Sequence, residues 1–166
     1  MIVVANATKH HYKLNGLLIG AAVGMGFAAF ESSGYAFGVL LDDGSVDDMV
    51  ANINVRGLLS PFGHIVWSAI AGCALWRVLD GRKFKWGMLC DEKFIRLFLV
   101  PVILHMVWNS PLQLPYFGTH ILVGAVGWFV CLSLVREGLH EITLEQVKVR
   151  KCLDGEPNST AEGETK

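Results

Sequence analysis

Residues 16–41 carry a single formal charge, Glu31, and three further stretches, 57–76, 94–109 and 115–135, are nearly as bare of charge. A bilayer core requires about 20 predominantly apolar residues per crossing helix, so these four runs constrain the chain to a membrane architecture. A soluble helical core would alternate apolar and charged faces along each helix. Here 52% of the 166 residues are hydrophobic and 17% are charged, and the charges gather in short clusters between the runs. The third run is short, and residues 97–135 contain no formal charge at all, too long for one crossing. Ser110-Pro111 and Leu114-Pro115 supply the turn that divides it, since proline removes a backbone donor and pushes the preceding residue out of helical geometry.

The expected fold is therefore an all-α polytopic bundle of about four transmembrane helices. Lys and Arg near helix ends favour the cytoplasmic side. Lys9 and Lys13 precede the first helix, four aspartates (Asp42, Asp43, Asp47, Asp48) and one Arg56 follow it, and Arg82, Lys83, Lys85 and Lys93 lie between the second and third. This alternation places both termini in the cytoplasm. The organisation read from it is a cytoplasmic segment 1–15, a transmembrane domain 16–135, an amphipathic cytoplasmic helix 136–153 and a tail 154–166 too polar to offset its ordering entropy. The net charge of −1 argues against a nucleic-acid partner. Cys73, Cys90, Cys131 and Cys152 have no paired metal-binding spacing and read as packing residues or free thiols.

Ionisable residues inside such runs are expensive, roughly 2.5 to 3.5 kcal/mol for a charged group at the bilayer centre, and those retained there usually face one another, a cavity or a metal. Glu31, His64 and His105 each lie in a different run, and each is followed four residues later by a polar group: Tyr35, Ser68 and Asn109. At a rise of about 1.5 Å per residue, Glu31 is about 15 Å and His64 about 10 Å from the extracytoplasmic end of its run, and His105 is four residues from the same side. The three share one half of the bilayer. Each also lies on a face of small or polar residues, Gly16, Gly20 and Gly24 with Glu31, and Ser68 and Gly72 with His64, which is the face that neighbouring membrane helices approach. His120, one turn before Gly124 in the fourth run, is placed to approach the same cavity.

Two imidazoles and a carboxylate are a normal ligand set for catalytic zinc, which lowers the pKa of water to about 7. On this reading Glu31, His64 and His105 bind the metal, Tyr35, Ser68 and His120 lie behind them, and the Asn109 amide stabilises an oxyanion. A metal-independent alternative makes Glu31 the general base for water, held in place by the histidines. The residues alone leave both open.

At these positions the chain resembles the PrsW family of intramembrane proteases, related to the group that includes the CAAX-processing enzymes. Phe27, Glu31 and Tyr35 match its F-x-x-x-E-x-x-x-Y, His64 and Gly72 its H-x7-G, and His105 with Asn109 its H-x-x-x-D, with Asn as in the H-x-x-x-N of the wider group. Asn15-Gly16 resembles the Asp-Gly that opens the family's corresponding helix, and the likeness covers roughly residues 15–109. It implies hydrolysis of a membrane-anchored protein, such as an anti-sigma factor, at the outer face of a bacterial cytoplasmic membrane. The family also has an earlier helix with a Glu-Glu pair, whereas the first 30 residues here contain no glutamate. Three explanations follow: Met1 is an internal start, the chain is a truncated or degenerate member, or a partner supplies that helix. A non-catalytic binding or regulatory protein derived from the family is the alternative function. A small ion-coupled transporter subunit is a third reading, which the lack of inverted repeats disfavours.

Overall fold

The computed structural model describes residues 1–7, 12–111 and 114–154, and every regular element among them is helical. The six α-helices are α1 (Ile2–Ala7), α2 (Lys13–Asp43), α3 (Val46–Leu59), α4 (His64–Leu79), α5 (Glu92–Trp108) and α6 (Gly118–Leu153). Lys9 and the tail from residue 155 onward, which entered the orientation and disorder expectations, lie outside the described residues. Three segments are long and apolar enough to cross a membrane: Lys13–Asp42, Val46–Leu79 and Gly118–Leu153. The expected third crossing, the 17-residue α5, is shorter, reaching roughly 25 Å against a hydrocarbon core of about 30 Å.

The second expected span differs from what forms. Residues 42–56, read as an acidic loop, contain most of α3, and the expected 57–76 span opens with the end of α3, is broken at 60–63 and resumes as α4 at His64. The cause is local. Gly44 closes α2 in the left-handed conformation (φ 64°), its N–H bonding to the Leu40 carbonyl, which is the usual glycine helix stop. Ser45 then caps α3, its hydroxyl accepting from the Asp48 N–H at 3.1 Å. Asp47 and Asp48 occupy the first turn of α3, where carboxylates meet the positive end of the helix dipole. A 3-10 turn at Ser60–Phe62 containing Pro61 separates α3 from α4.

α3 and α4 nevertheless behave as one broken span. Gly16, Gly20 and Gly24 of α2 abut Gly72, Ser68 and His64 of α4, and farther along the same antiparallel path Glu31 meets Arg56 of α3. The glycine seam allows backbone-to-backbone approach: a Cβ at Gly16 would stand 2.6 Å from the Gly72 carbonyl oxygen. Irregular backbone at membrane depth is tolerated where protein surrounds it or where it lines a cavity, and the break at Ser60–Phe62 falls immediately before His64.

α4 is the centre of the bundle. Ile70 and Cys73 are wholly enclosed, and Val66, Trp67 and Ala69 nearly so, packed by Leu17 of α2, Leu104 of α5 and Val123, Cys131 and Leu134 of α6. α5 passes through Pro101 without interruption. α6 continues from the expected fourth span through the expected amphipathic segment as one 36-residue helix. All four cysteines are free, Cys73 and Cys131 buried, Cys90 and Cys152 exposed.

Candidate active site

Each group of the site is delivered by a separate helix. Glu31 projects from α2 two turns beyond Gly24, where the glycine seam fixes α2 against α4. His64 is the first residue of α4, so the break positions it at a helix mouth rather than seven residues inside a continuous helix. Glu31 Oε2 stands 3.3 Å from His64 Nδ1. The His64 ring lies edge-to-face on His105 of α5, with centroids 5.3 Å apart. Glu31, His64 and His105 thus come together around His64.

Aromatic rings hold this arrangement. Phe27, one turn before Glu31, packs edge-on against His64 at 4.9 Å. Trp67 stacks on His105 at 5.0 Å and meets His64 at 5.4 Å. Trp67 itself is only 4% exposed, so it forms the floor under both imidazoles. Its edge touches Trp108, which in turn carries His120 at 4.4 Å. His120 is therefore linked to the histidine pair through Trp108, and its buried Nδ1 has no hydrogen-bond partner among the described residues.

Two of the remaining sequence candidates have different surroundings from those their spacing suggested. Ser68 faces the seam, its Cβ 2.8 Å from where a Cβ on Gly24 would lie. Tyr35 reaches the site through an intermediary, its ring lying 4.0 Å beneath the Arg56 guanidinium. Asn109 caps α5, donating its backbone N–H to the His105 carbonyl at 3.1 Å, and its side chain is exposed beside the exposed His105.

Sequence reasoning missed Arg56. Its Nη2 donates to Glu31 Oε2 at 2.7 Å, the same oxygen that faces His64. A signal existed: Arg56 is the single cation in a segment otherwise populated by aspartates, an exception to the charge asymmetry that placed the segment outside.

The fit of a metal rests on His64. Its Nε2 is buried without a hydrogen-bond partner among the described residues, and a neutral imidazole nitrogen in that state offers a lone pair. With His105 at its side, the donor chemistry suits zinc. As the side chains lie, no three His, Cys, Asp or Glu among the described residues are grouped closely enough to hold an ion, because Glu31 is drawn to the Nδ1 side of His64. The imidazole pair supplies two donors of the kind zinc takes, with the carboxylate placed behind one of the rings.

A family model, PrsW family intramembrane metalloprotease, matches residues 1–135. No curated protein and no solved structure matches the chain. The match runs through α2, the broken α3–α4 span and α5, so that every helix contributing to the Glu31–His64–His105 cluster lies inside it. The chain belongs to the PrsW family of intramembrane metalloproteases, integral membrane proteins.

Proposed function

We propose that this chain hydrolyses a peptide bond of a membrane-anchored protein at the cluster formed by Glu31, His64 and His105. The carrying observation is that a carboxylate and two imidazoles from three helices come together around His64. His64, through Nε2, and His105 would hold the metal. A zinc ion held there would polarise the scissile carbonyl and acidify the attacking water. Glu31 orients His64 from the Nδ1 side, as carboxylates commonly do for metal-bound histidines, and its second oxygen is the base that takes the water proton. The sequence reading gave Glu31 a ligand role as well; its engagement by Arg56 and by Nδ1 favours the orienting role over direct ligation. Asn109, at the exposed end of α5 next to His105, supplies the amide donor for the developing oxyanion.

Exposure of His105 and Asn109 on the side of the bundle supports lateral access for a substrate helix, since an imidazole turned toward lipid alone would be costly. By the family resemblance the substrate is of the anti-sigma-factor kind and the membrane is the bacterial cytoplasmic membrane, with both termini of the chain inside. Purified protein in liposomes, supplied with Zn2+ and a membrane-tethered reporter, tests the reading. Cleavage is expected for the native chain. Loss of about 100-fold or more is expected in Glu31→Gln, His64→Ala and His105→Ala, the scale of acid–base contributions. Equal cleavage by all three variants would remove the site.

A second reading is favoured by one observation, the neutralisation of Glu31 by Arg56. It makes the chain a non-catalytic member that binds membrane-anchored proteins in the same cleft. Absence of turnover with Zn2+ present, together with retained binding of the reporter, would select it.

A further inference from the structure

We infer that Arg56 is a positioning residue for the site, acting through Glu31 to hold His64 with Nδ1 against the carboxylate and Nε2 left unpartnered among the described residues; this rests on the imidazole pair being the metal-binding group. Arg56 belongs to α3, whose residues are all at least partly exposed. Its side chain turns into the cluster, where it is 27% exposed, like Glu31. It makes two contacts there, both with α2. The guanidinium plane lies over Tyr35 at 4.0 Å, and Nη2 bonds to Glu31 Oε2 at 2.7 Å. Tyr35 and Glu31 are one turn apart on one helix face, so the ring sets the height of the guanidinium and the guanidinium sets the carboxylate.

The consequence passes to His64. Because Oε2 is pinned by Arg56, it stays 3.3 Å from Nδ1 and places the ring proton on that nitrogen. Nε2, buried and without a partner among the described residues, is then the lone-pair donor. The nitrogen that carries the proton in a metal-binding histidine is set by what the other nitrogen meets. Without Arg56 the carboxylate can rotate away from Nδ1, and the imidazole loses its fixed orientation. Lysine would preserve charge but lack the planar group that stacks on tyrosine.

Co2+ titration of the full-length protein in detergent, followed by its visible absorption, reads this directly. The native chain is expected to develop a Co2+ spectrum that His64→Ala and His105→Ala abolish. Arg56→Ala is expected to weaken Co2+ binding about tenfold to 100-fold, the range for loss of an outer-shell partner, and to alter the band shape. Arg56→Lys should recover part of the affinity, and Tyr35→Leu should lower it less than Arg56→Ala. Circular dichroism and melting of each variant separate a lost fold from a lost orientation. For folded variants, native affinity in Arg56→Ala would overturn the inference, and tighter binding would overturn it in favour of Arg56 as a competitor of the metal. If instead the histidine variants bind Co2+ as the native chain does, the imidazole-pair reading itself falls, and the inference with it.

Discussion

The bundle carries a carboxylate between two nitrogen-bearing partners at each end, and the two are built differently. At the end where α2 begins, Glu137 of α6 accepts from Lys13 Nζ at 2.8 Å and pairs through its other oxygen with Arg77 of α4, while the Lys13 backbone N–H donates to Glu141. Three helices are tied, and each oxygen of Glu137 has its own cation. At the opposite end, one oxygen of Glu31 serves both Arg56 and His64. Both ends leave a buried guanidinium Nε without a partner among the described residues, but that atom can only donate. Among the described residues, the buried imidazole nitrogens without a partner are His64 Nε2, at the Glu31 end, and His120 Nδ1, beyond Trp108. The first arrangement fastens helices; the second holds an unspent ligand atom in place.

Substitutions break this comparison in order of size. The largest effect falls on the Glu31 end: His64→Ala is expected to reduce reporter cleavage by about 100-fold or more with little change in melting, since the side chain removed is at a helix mouth rather than in the packed centre. A melting loss as large as that of a core truncation would turn the cluster into a structural one.

Next is the seam that couples the ends. A Cβ on Gly20 would collide with the Ser68 carbonyl and stand 2.8 Å from the Ala69 Cα, backbone atoms that cannot rotate away. Gly20→Val is therefore expected to cost about 3 kcal/mol, the upper part of the overpacking range, and to abolish cleavage as well, because α4 carries His64. Retention of cleavage with lowered stability would show that the site survives a shift of α4 against α2.

The same seam explains what was legible beforehand. Glycines at 16, 20 and 24 announced a close face, and the helical period put Glu31 near that face; its contact with His64 Nδ1 is what the structure adds. His105 followed from depth, counted from the charge-free turn. Spacing gives the face of a helix but not the neighbour on it. Ser68 was therefore paired in expectation with His64 but packs into the seam, and His120 was brought toward the cavity but stops at Trp108. α3 was lost for another reason. Its aspartates lower the hydropathy of 42–56 to that of a loop, although Ser45 followed by Asp47 and Asp48 is a helix-start pattern, and with α3 went Arg56.

Glu137→Gln comes third. The carboxylate is 40% exposed, so solvent screening limits the loss to about 1 kcal/mol, or a melting decrease of about 2 to 4 °C for a chain of this size. Cleavage measured well below melting should be unchanged. A fall in activity out of proportion to the melting shift would mean that the two ends communicate.

The smallest effect is expected from Lys13→Met, and it divides the Glu137 cluster into its parts. The variant removes the Nζ contact at 2.8 Å but keeps the Arg77 pair and the backbone donation to Glu141, and its apolar stem can still cover the helix end. A loss of about 0.3 to 0.5 kcal/mol, near the lower part of the range for partly exposed pairs, should lower melting by about 1 to 2 °C. If Lys13→Met matched Glu137→Gln, Arg77 would contribute nothing measurable and the fastening would join only α2 to α6. If it had no effect at all, the Arg77–Glu137 pair would carry the fastening alone, joining α6 to the same helix that begins with His64.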